Sequence, residues 1–210
     1  NKEWLSIAEA DVDPIFELAN EHGLAVQIHP YDGEKMIALK NQYWRFHLVW
    51  MMAQCADTLH LFTLRDLPNK YPNLRTSFAK VFLDGVPAAF TASFIDPYLD
   101  SAGYDAASHD PAATLSLPQD ELNETICELD RRGFVTKMHA VGDNAVRAGL
   151  NAIEFTRNRN SNNDLRHEIA HCTYVHPEDI QRFKILNAVA ENSPMNWFPC
   201  VPTQIQNKIL

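Results

Sequence analysis

The 210-residue chain is long enough to bury a sizeable core in one large domain or two small ones. Its net charge of -9 argues against nucleic acid or an anionic membrane as a partner, and no apolar run is long enough to span a bilayer. The four cysteines are widely scattered without a CxxC pair, which is typical of reduced thiols in a cytoplasmic protein.

Helical and strand-like segments alternate along the first half of the chain. A helix is predicted over Asp13–Asn20 and a strand over Leu24–His29. An aromatic-rich, α-rich insertion is predicted near residues 34–60. The next clear strand is Phe78–Leu83, and a long, proline-marked connection over Val86–Pro118 follows it. A connection of that length in a compact domain indicates a functional or mobile loop.

The second half repeats the pattern more regularly. One helix is predicted to end at Arg131, and two more are predicted over Asn144–Arg157 and Pro177–Phe183. The strands that alternate with them are predicted at Phe134–His139, Leu165–Val175 and Ala188–Ala190. Strand and helix recurring at about thirty residues indicate a parallel sheet or barrel. Polar residues follow successive strands, namely His29, Asp84, His139, Asp143, His171 and Asn192. We therefore predict an α/β fold, a (β/α)8 barrel with its site at the carboxyl ends of the strands.

Three of these segments contain residues whose chemistry stands out. Lys80 lies inside an apolar strand, so it either faces outward or has an environment that makes its amine reactive. A histidine such as His139 is more often structural, but its place at a strand end before Gly142 favours a metal ligand. Asp143 is interpreted as a cap of the helix that begins at Asn144.

The run from His167 to His171 matches HExxH, the zinc-protease motif. That motif requires a helix, because residues four apart then lie one turn apart and reach one zinc. On a strand the two histidines would lie about 13 Å apart, at roughly 3.3 Å per residue. The residues that follow His171 as far as Val175 have a high β propensity, and Pro177 comes soon after them. Both features favour a strand over a helix, so the protease is the weaker hypothesis.

Three motifs in order resemble the metal-dependent amidohydrolase superfamily, specifically amidohydrolase family 3, which includes YtcJ-like enzymes and N-substituted formamide deformylase. They are Lys80–Gly85 continuing to Tyr98, His139–Asp143 with Ala145, and Arg166–His171 continuing to Phe183. The resemblance covers the chain from about residue 13 to 200. It implies a TIM-type barrel with a metal site at its carboxyl face.

Residue by residue, the resemblance implies a metal shell of Lys80, His139 and His171, with Lys80 carbamylated and bridging two ions. Arg166 and His167 would support this shell by hydrogen bonds, and Asp84 and Thr91 would belong to the loop beside the substrate. The implied cofactor is a divalent metal, with zinc expected, as one or two ions. The implied activity is hydrolysis of a non-peptide carbon–nitrogen bond in a small amide-type substrate, by a metal-activated water.

The chain also departs from the family pattern. It contains no HxH pair, it lacks the family's last-strand aspartate base, and Ala170 stands where the family usually has Glu. We therefore predict residues 1–210 to be a single partial barrel domain, about strands three to seven, truncated at both ends. A catalytically incompetent fragment or ligand-binding pseudoenzyme is the alternative hypothesis. Exposed strand edges would favour self-association, so a homo-oligomer is one expected state.

Overall fold

The computed structural model describes residues 12–24, 26, 66–73, 78–99, 103–160, 164–194, 198, 204 and 208–210. The chain forms two compact units, residues 1–76 and residues 77–210. The predicted insertion near residues 34–60 and most of the predicted strand Leu24–His29 lie outside the described residues. The single partial-barrel domain over residues 1–210 stays a prediction.

In the first unit, the predicted N-terminal helix is confirmed as α1, Asp13–His22, with a proline in its first turn. Gly23 ends the helix in a left-handed conformation, which a residue without a side chain adopts at little cost. A short helix, α2, spans Leu67–Lys70. The two helices are joined by stacking of Phe16 on Tyr71, at 6.1 Å between ring centroids, and by a 2.6 Å ion pair between Lys70 and Asp13.

The second unit is built on a four-stranded parallel sheet. Its strands are β1, Phe78–Phe82; β2, Val135–Ala140; β3, Glu168–His171; and β4, Val189–Asn192. Their spatial order is the same as their order in the chain, and every neighbouring pair is parallel. The four strands predicted within this unit are thus confirmed, and their order is the one expected for part of a TIM-type barrel.

Helices connect the strands and cover one face of the sheet. They are α3, Gln119–Arg131; α4, Asp143–Asn160; and α5, Ile180–Ile185, which follows a 3-10 turn over Pro177–Asp179. The core lies between α3, α4 and the sheet, and its largest fully buried members are Leu83, Leu122, Ile126, Met138, Leu150, Ile153 and Ile169. Because Met138 and Ile169 face this core, the alternate strand positions face the other side of the sheet.

A buried polar cluster ties the amino-terminal end of the sheet to α3 and α4. The backbone N–H of Thr136 donates to Nδ1 of His167 at 3.1 Å, so the imidazole proton resides on Nε2 and is donated to Asp130 at 2.9 Å. Arg157 lies 3.5 Å from the same carboxylate, and Asn160 donates to its other oxygen at 2.8 Å. The only positive side chain in these contacts is Arg157, which neutralises the buried Asp130.

The buried imidazole makes stability depend on pH. Burial, the largest cause, lowers the pKa of His167 below its usual 6.5, and the Arg157 charge acts the same way against the opposing effect of Asp130. At pH values between the lowered folded-state pKa and 6.5, the unfolded chain binds this proton and the folded chain does not, so the contribution of His167 to the free energy of unfolding falls as the pH drops below 6.5. The slope of this contribution to the free energy of unfolding is at most about 1.4 kcal/mol per pH unit.

This dependence is measured by urea unfolding between pH 7.5 and pH 5 for wild type and His167→Gln. Glutamine supplies one acceptor and one donor without titrating, so the slope attributed to His167 should vanish in that variant. His22→Gln, at an exposed histidine of α1, is the matched control and should keep the wild-type slope. Equal slopes in His167→Gln and wild type would rule out this origin of the pH dependence.

Within the described ranges, no helix combines the length and the apolar character needed to cross a lipid bilayer.

Candidate metal centre

Charged and polar side chains occupy the sheet face that α3 and α4 leave uncovered. Lys80, Lys137 and Glu168 lie side by side in register on β1, β2 and β3. The ammonium of Lys137 is 3.6 Å from Glu168 and 3.0 Å from Glu191 of β4. One level closer to the carboxyl edge, the register aligns Phe82 with His139. Lys80, Lys137 and Glu168 thus lie directly beneath the level of His139, and Glu191 lies at that level.

His139 is the next-to-last residue of β2 and is almost fully buried. Its Nε2–H donates to the carbonyl of Gly85 at 3.1 Å, so the loop after β1 determines the orientation of the ring. The carboxylate of Asp84 lies 3.7 Å from the same nitrogen, and the ring of Phe82 packs 5.0 Å from the imidazole centroid. The predicted metal ligand therefore lies at the carboxyl edge with a fixed ring.

His171 ends β3, and its backbone is unusual. Pairing places it beside Ala140, a core residue, so simple alternation would put the His171 side chain on the helix-covered face. Instead, His171 and Cys172 have φ angles of 68° and 41°, in the left-handed region that costs non-glycine residues about 1–3 kcal/mol each. The two imidazole rings consequently meet at 4.6 Å between centroids, at an interplanar angle of 69°.

Asp84 connects β1 with the turn that follows β2. Its buried carboxylate accepts three backbone N–H groups, from Ser93 at 3.0 Å, Val141 at 3.0 Å and Gly142 at 2.8 Å. Burial raises the pKa of Asp84 to about 6, while these hydrogen bonds act in the opposite direction. Asp84, predicted to belong to the substrate loop, thus binds the backbone of the loop after β1 and of the turn after β2, and holds these two segments together.

The turn after β2 is packed directly against the same loop. A side-chain carbon at Gly142 would lie 1.9 Å from the Ser93 carbonyl oxygen, so only glycine fits. That carbonyl accepts the first N–H groups of α4, from Asn144 at 3.1 Å and Ala145 at 3.3 Å. The carboxylate of Asp143, interpreted from sequence as a helix cap, instead accepts the backbone N–H of Ile95 at 2.9 Å.

Thr91 closes a small loop immediately after Gly85. The Gly85 N–H donates to the Thr91 carbonyl at 2.8 Å, and the Thr91 hydroxyl accepts the Val86 N–H at 3.0 Å. Phe90 is held at a φ of 55° at the end of the 3-10 turn Pro87–Ala89. Val86, Phe90 and Thr91 are all exposed on this loop, and the Thr91 hydroxyl also maintains the shape of the loop through its hydrogen bond with Val86.

Lys80 lies in the middle of β1, on the same sheet face as His139. Burial lowers the pKa of its amine, and the nearby Lys137 charge lowers it further against the opposing charge of Glu191. Its Nζ lies 4.8 Å from the centroid of the Phe82 ring. The amine therefore occupies a partly desolvated position, which favours the neutral, reactive form over that of a surface lysine.

The HExxH segment is a strand, which excludes the zinc-protease arrangement. His167 precedes β3 and contacts the buried Asp130, whereas His171 ends the strand at the opposite edge of the sheet. The predicted supporting residues are thus placed away from the histidine pair, because His167 is in the amino-terminal cluster and Arg166 is exposed. Ser193, which the sequence pattern did not single out, does reach the site and hydrogen-bonds His171 Nδ1 at 2.9 Å.

His139 and His171 fit part of a metal shell, since both are nitrogen donors of a type that zinc accepts and their rings are in contact. Across the described residues, no three His, Cys, Asp or Glu side chains converge as a metal-binding group. A complete shell built on this pair therefore needs further ligands, such as an oxygen from Lys80 if the amine is carbamylated.

Two named proteins are similar to this chain in sequence. The chain is 27% identical over 139 residues to the exoenzymes regulatory protein AepA of Pectobacterium carotovorum subsp. carotovorum, covering 64% of this chain and 27% of that protein. It is 28% identical over 116 residues to the protein LONG AFTER FAR-RED 3 of Arabidopsis thaliana, covering 55% of this chain and 18% of that protein. The chain thus spans less than a third of the length of either relative.

Two solved structures are also similar, and both are uncharacterized metal-dependent hydrolases. The one from Pyrococcus furiosus has 28% identity and a TM-score of 0.47, covering 59% of this chain and 24% of that chain. The one from Pyrococcus horikoshii OT3 has 25% identity and a TM-score of 0.46, covering 59% and 23%. The sequence profile of the amidohydrolase family matches residues 5–209. Because that match spans nearly the whole sequence, the chain belongs to the amidohydrolase family.

Proposed function

We propose that this chain contributes the metal centre of a metal-dependent hydrolase that cleaves a non-peptide carbon–nitrogen bond in a small amide-type substrate. The observation that carries the proposal is the contact between the His139 and His171 rings at the carboxyl edge of adjacent parallel strands. That edge is where catalytic groups collect in parallel α/β folds. The strained backbone at His171 supports a functional role for the contact, since such strain persists mainly at functional sites.

His139, His171 and a carbamylated Lys80 would hold one or two divalent metal ions, with zinc as the favoured metal. A bound metal of this kind lowers the pKa of water and polarises a substrate carbonyl. The chain's own contribution is to hold the ligands, because Gly85 orients His139 and Asp84 ties together the segments around it. Within the family, we place the chain in the YtcJ-like branch on the motifs that begin at Lys80, His139 and Arg166.

The loop after β1 would border the substrate. Asp84 and Thr91 would act through the backbone they bind, since Asp84 is buried and Thr91 closes the loop. Val86 and Phe90 supply the exposed apolar surface of the same loop. This surface favours an uncharged group on the substrate at that side.

Loss of either histidine should reduce the metal bound by the protein. We expect His139→Ala and His171→Ala each to weaken zinc binding by more than the roughly 10–100-fold caused by losing a supporting hydrogen bond, because a ligand atom is removed. The measurement is elemental analysis of zinc after equilibration and dialysis, with His22→Ala as a control at an exposed histidine. Unchanged zinc in both variants would remove the pair from the ligand set and with it the proposed function.

A ligand-binding protein without catalysis is the second candidate. It is favoured by the finding that His139 and His171 are in contact, whereas no three metal-binding side chains converge in the described part of the chain. The two candidates differ in turnover: zinc binding without metal-dependent amide hydrolysis by the full protein would favour the non-catalytic one.

A further inference from the structure

The His171 ring is supported by a group from the neighbouring strand. Ser193 immediately follows β4, and its Oγ lies 2.9 Å from Nδ1 of His171. The strand register pairs His171 with Asn192, the residue before Ser193, so the serine is brought to the ring by the pairing of β3 with β4.

This support matters because the His171 backbone does not orient its side chain by ordinary strand geometry. The left-handed conformations of His171 and Cys172 interrupt the alternation that orients side chains elsewhere in the sheet. At the same point the pairing of the strands continues, since the Cys172 N–H donates to Ala140 at 3.1 Å. The direction of the His171 ring therefore depends on the contacts that the ring itself makes. These include the hydrogen bond with Ser193 and the contact with the His139 ring.

We propose that Ser193 is a positioning residue for the metal centre, an inference that rests on the proposed function. With Nδ1 engaged by the serine hydroxyl, His171 presents Nε2 to the metal and keeps its proton on Nδ1. A hydrogen bond to the second ring nitrogen of a metal-bound histidine determines its tautomer and orientation and increases its basicity. Through Ser193, the segment that follows β4 contributes to the orientation of His171.

The test is the zinc dissociation constant of Ser193→Ala, measured by competition with a chromogenic chelator on the full-length protein. Loss of the hydroxyl should weaken zinc binding by about 10–100-fold, the usual effect of removing such a partner. Ser193→Thr keeps a hydroxyl and should restore most of the affinity. Ser116→Ala, at an exposed serine of the same unit, is the matched control and should bind zinc like wild type.

A spectroscopic readout separates positioning from a general loss of structure. In zinc-loaded wild type, the nitrogen NMR shifts of His171 should report a proton on Nδ1, and Ser193→Ala should broaden or shift that signal while leaving His167 unchanged. Equal zinc affinity and equal His171 shifts in Ser193→Ala and Ser116→Ala would overturn the positioning role. If His171→Ala loses zinc while Ser193→Ala does not, only this inference fails. If His171→Ala keeps its zinc, His171 is no ligand and the positioning role fails with it.

Discussion

Replacement of Asp84 by alanine is expected to be the most damaging single change near the histidine pair. Three buried backbone N–H groups, from Ser93, Val141 and Gly142, would lose their acceptor at once. Each buried donor left unsatisfied costs about 1–3 kcal/mol, so we expect a loss of several kcal/mol in the free energy of unfolding. Zinc binding should weaken as well, because the segments that carry Gly85 and His139 are held together by this carboxylate.

Denaturant unfolding and zinc content are the two measurements for this prediction. Asp84→Asn should fall between wild type and Asp84→Ala, since one amide oxygen can still accept from Ser93 and Gly142 but the amide NH2 cannot accept from Val141. Asp96→Ala, at an exposed aspartate of the same loop, serves as the control and should change little. A loss in Asp84→Ala no greater than that in Asp96→Ala would contradict the role assigned to the carboxylate.

Replacement of Asp130 by alanine is expected to have a comparable effect at the opposite end of the sheet. The change would leave the buried guanidinium of Arg157 without its carboxylate and remove the acceptor of His167 Nε2–H. Breaking a buried ion pair by removing one partner costs about 3–5 kcal/mol, because an uncompensated charge remains buried. The two segments joined here are α3 and the residue before β3, so their packing should loosen together.

The comparison that isolates this effect is Asp120→Ala, an exposed aspartate in the first turn of the same helix. The free energy of unfolding of Asp120→Ala should fall only by the few tenths to about 1 kcal/mol that the interaction of this carboxylate with the helix dipole contributes. Asp130→Asn, which keeps the shape and removes the charge, should lie between the two. Similar unfolding free energies for Asp130→Ala and Asp120→Ala would show that the buried cluster contributes little.

Much of the second unit follows from local patterns in the sequence. The apolar alternation before His139, the turn at Gly133 and the amphipathic pattern after Asp143 were sufficient to predict β2, α3 and α4 in their observed order. Local β propensity after the HExxH match also predicted the strand that excludes a protease. These predictions succeed because strand and helix periodicity depend on neighbouring residues.

The side-chain partners could not be predicted in the same way. Asp84 and Val141 are 57 residues apart, and Asp130 and His167 are 37 residues apart, so no local pattern reports either contact. The sequence predicted that Asp84 belongs to the loop beside the substrate, but it could not predict that the carboxylate binds the backbone of two segments. It predicted His167 as support for the metal ligands, whereas the structure places His167 in a buried cluster at the other end of the strand. Strand pairing brings these distant groups together.

The sequence by itself determined the family, the alternation of strands and helices, and the positions of His139 and His171 at successive strand ends. Only the tertiary structure decided where those histidines point. Strand alternation would have separated them on opposite faces, and the left-handed backbone at His171 and Cys172 brings the rings to 4.6 Å. That conformation is unfavourable locally for residues other than glycine, so the surrounding structure compensates for its cost, and the strand pairing and the Ser193 contact are part of that structure.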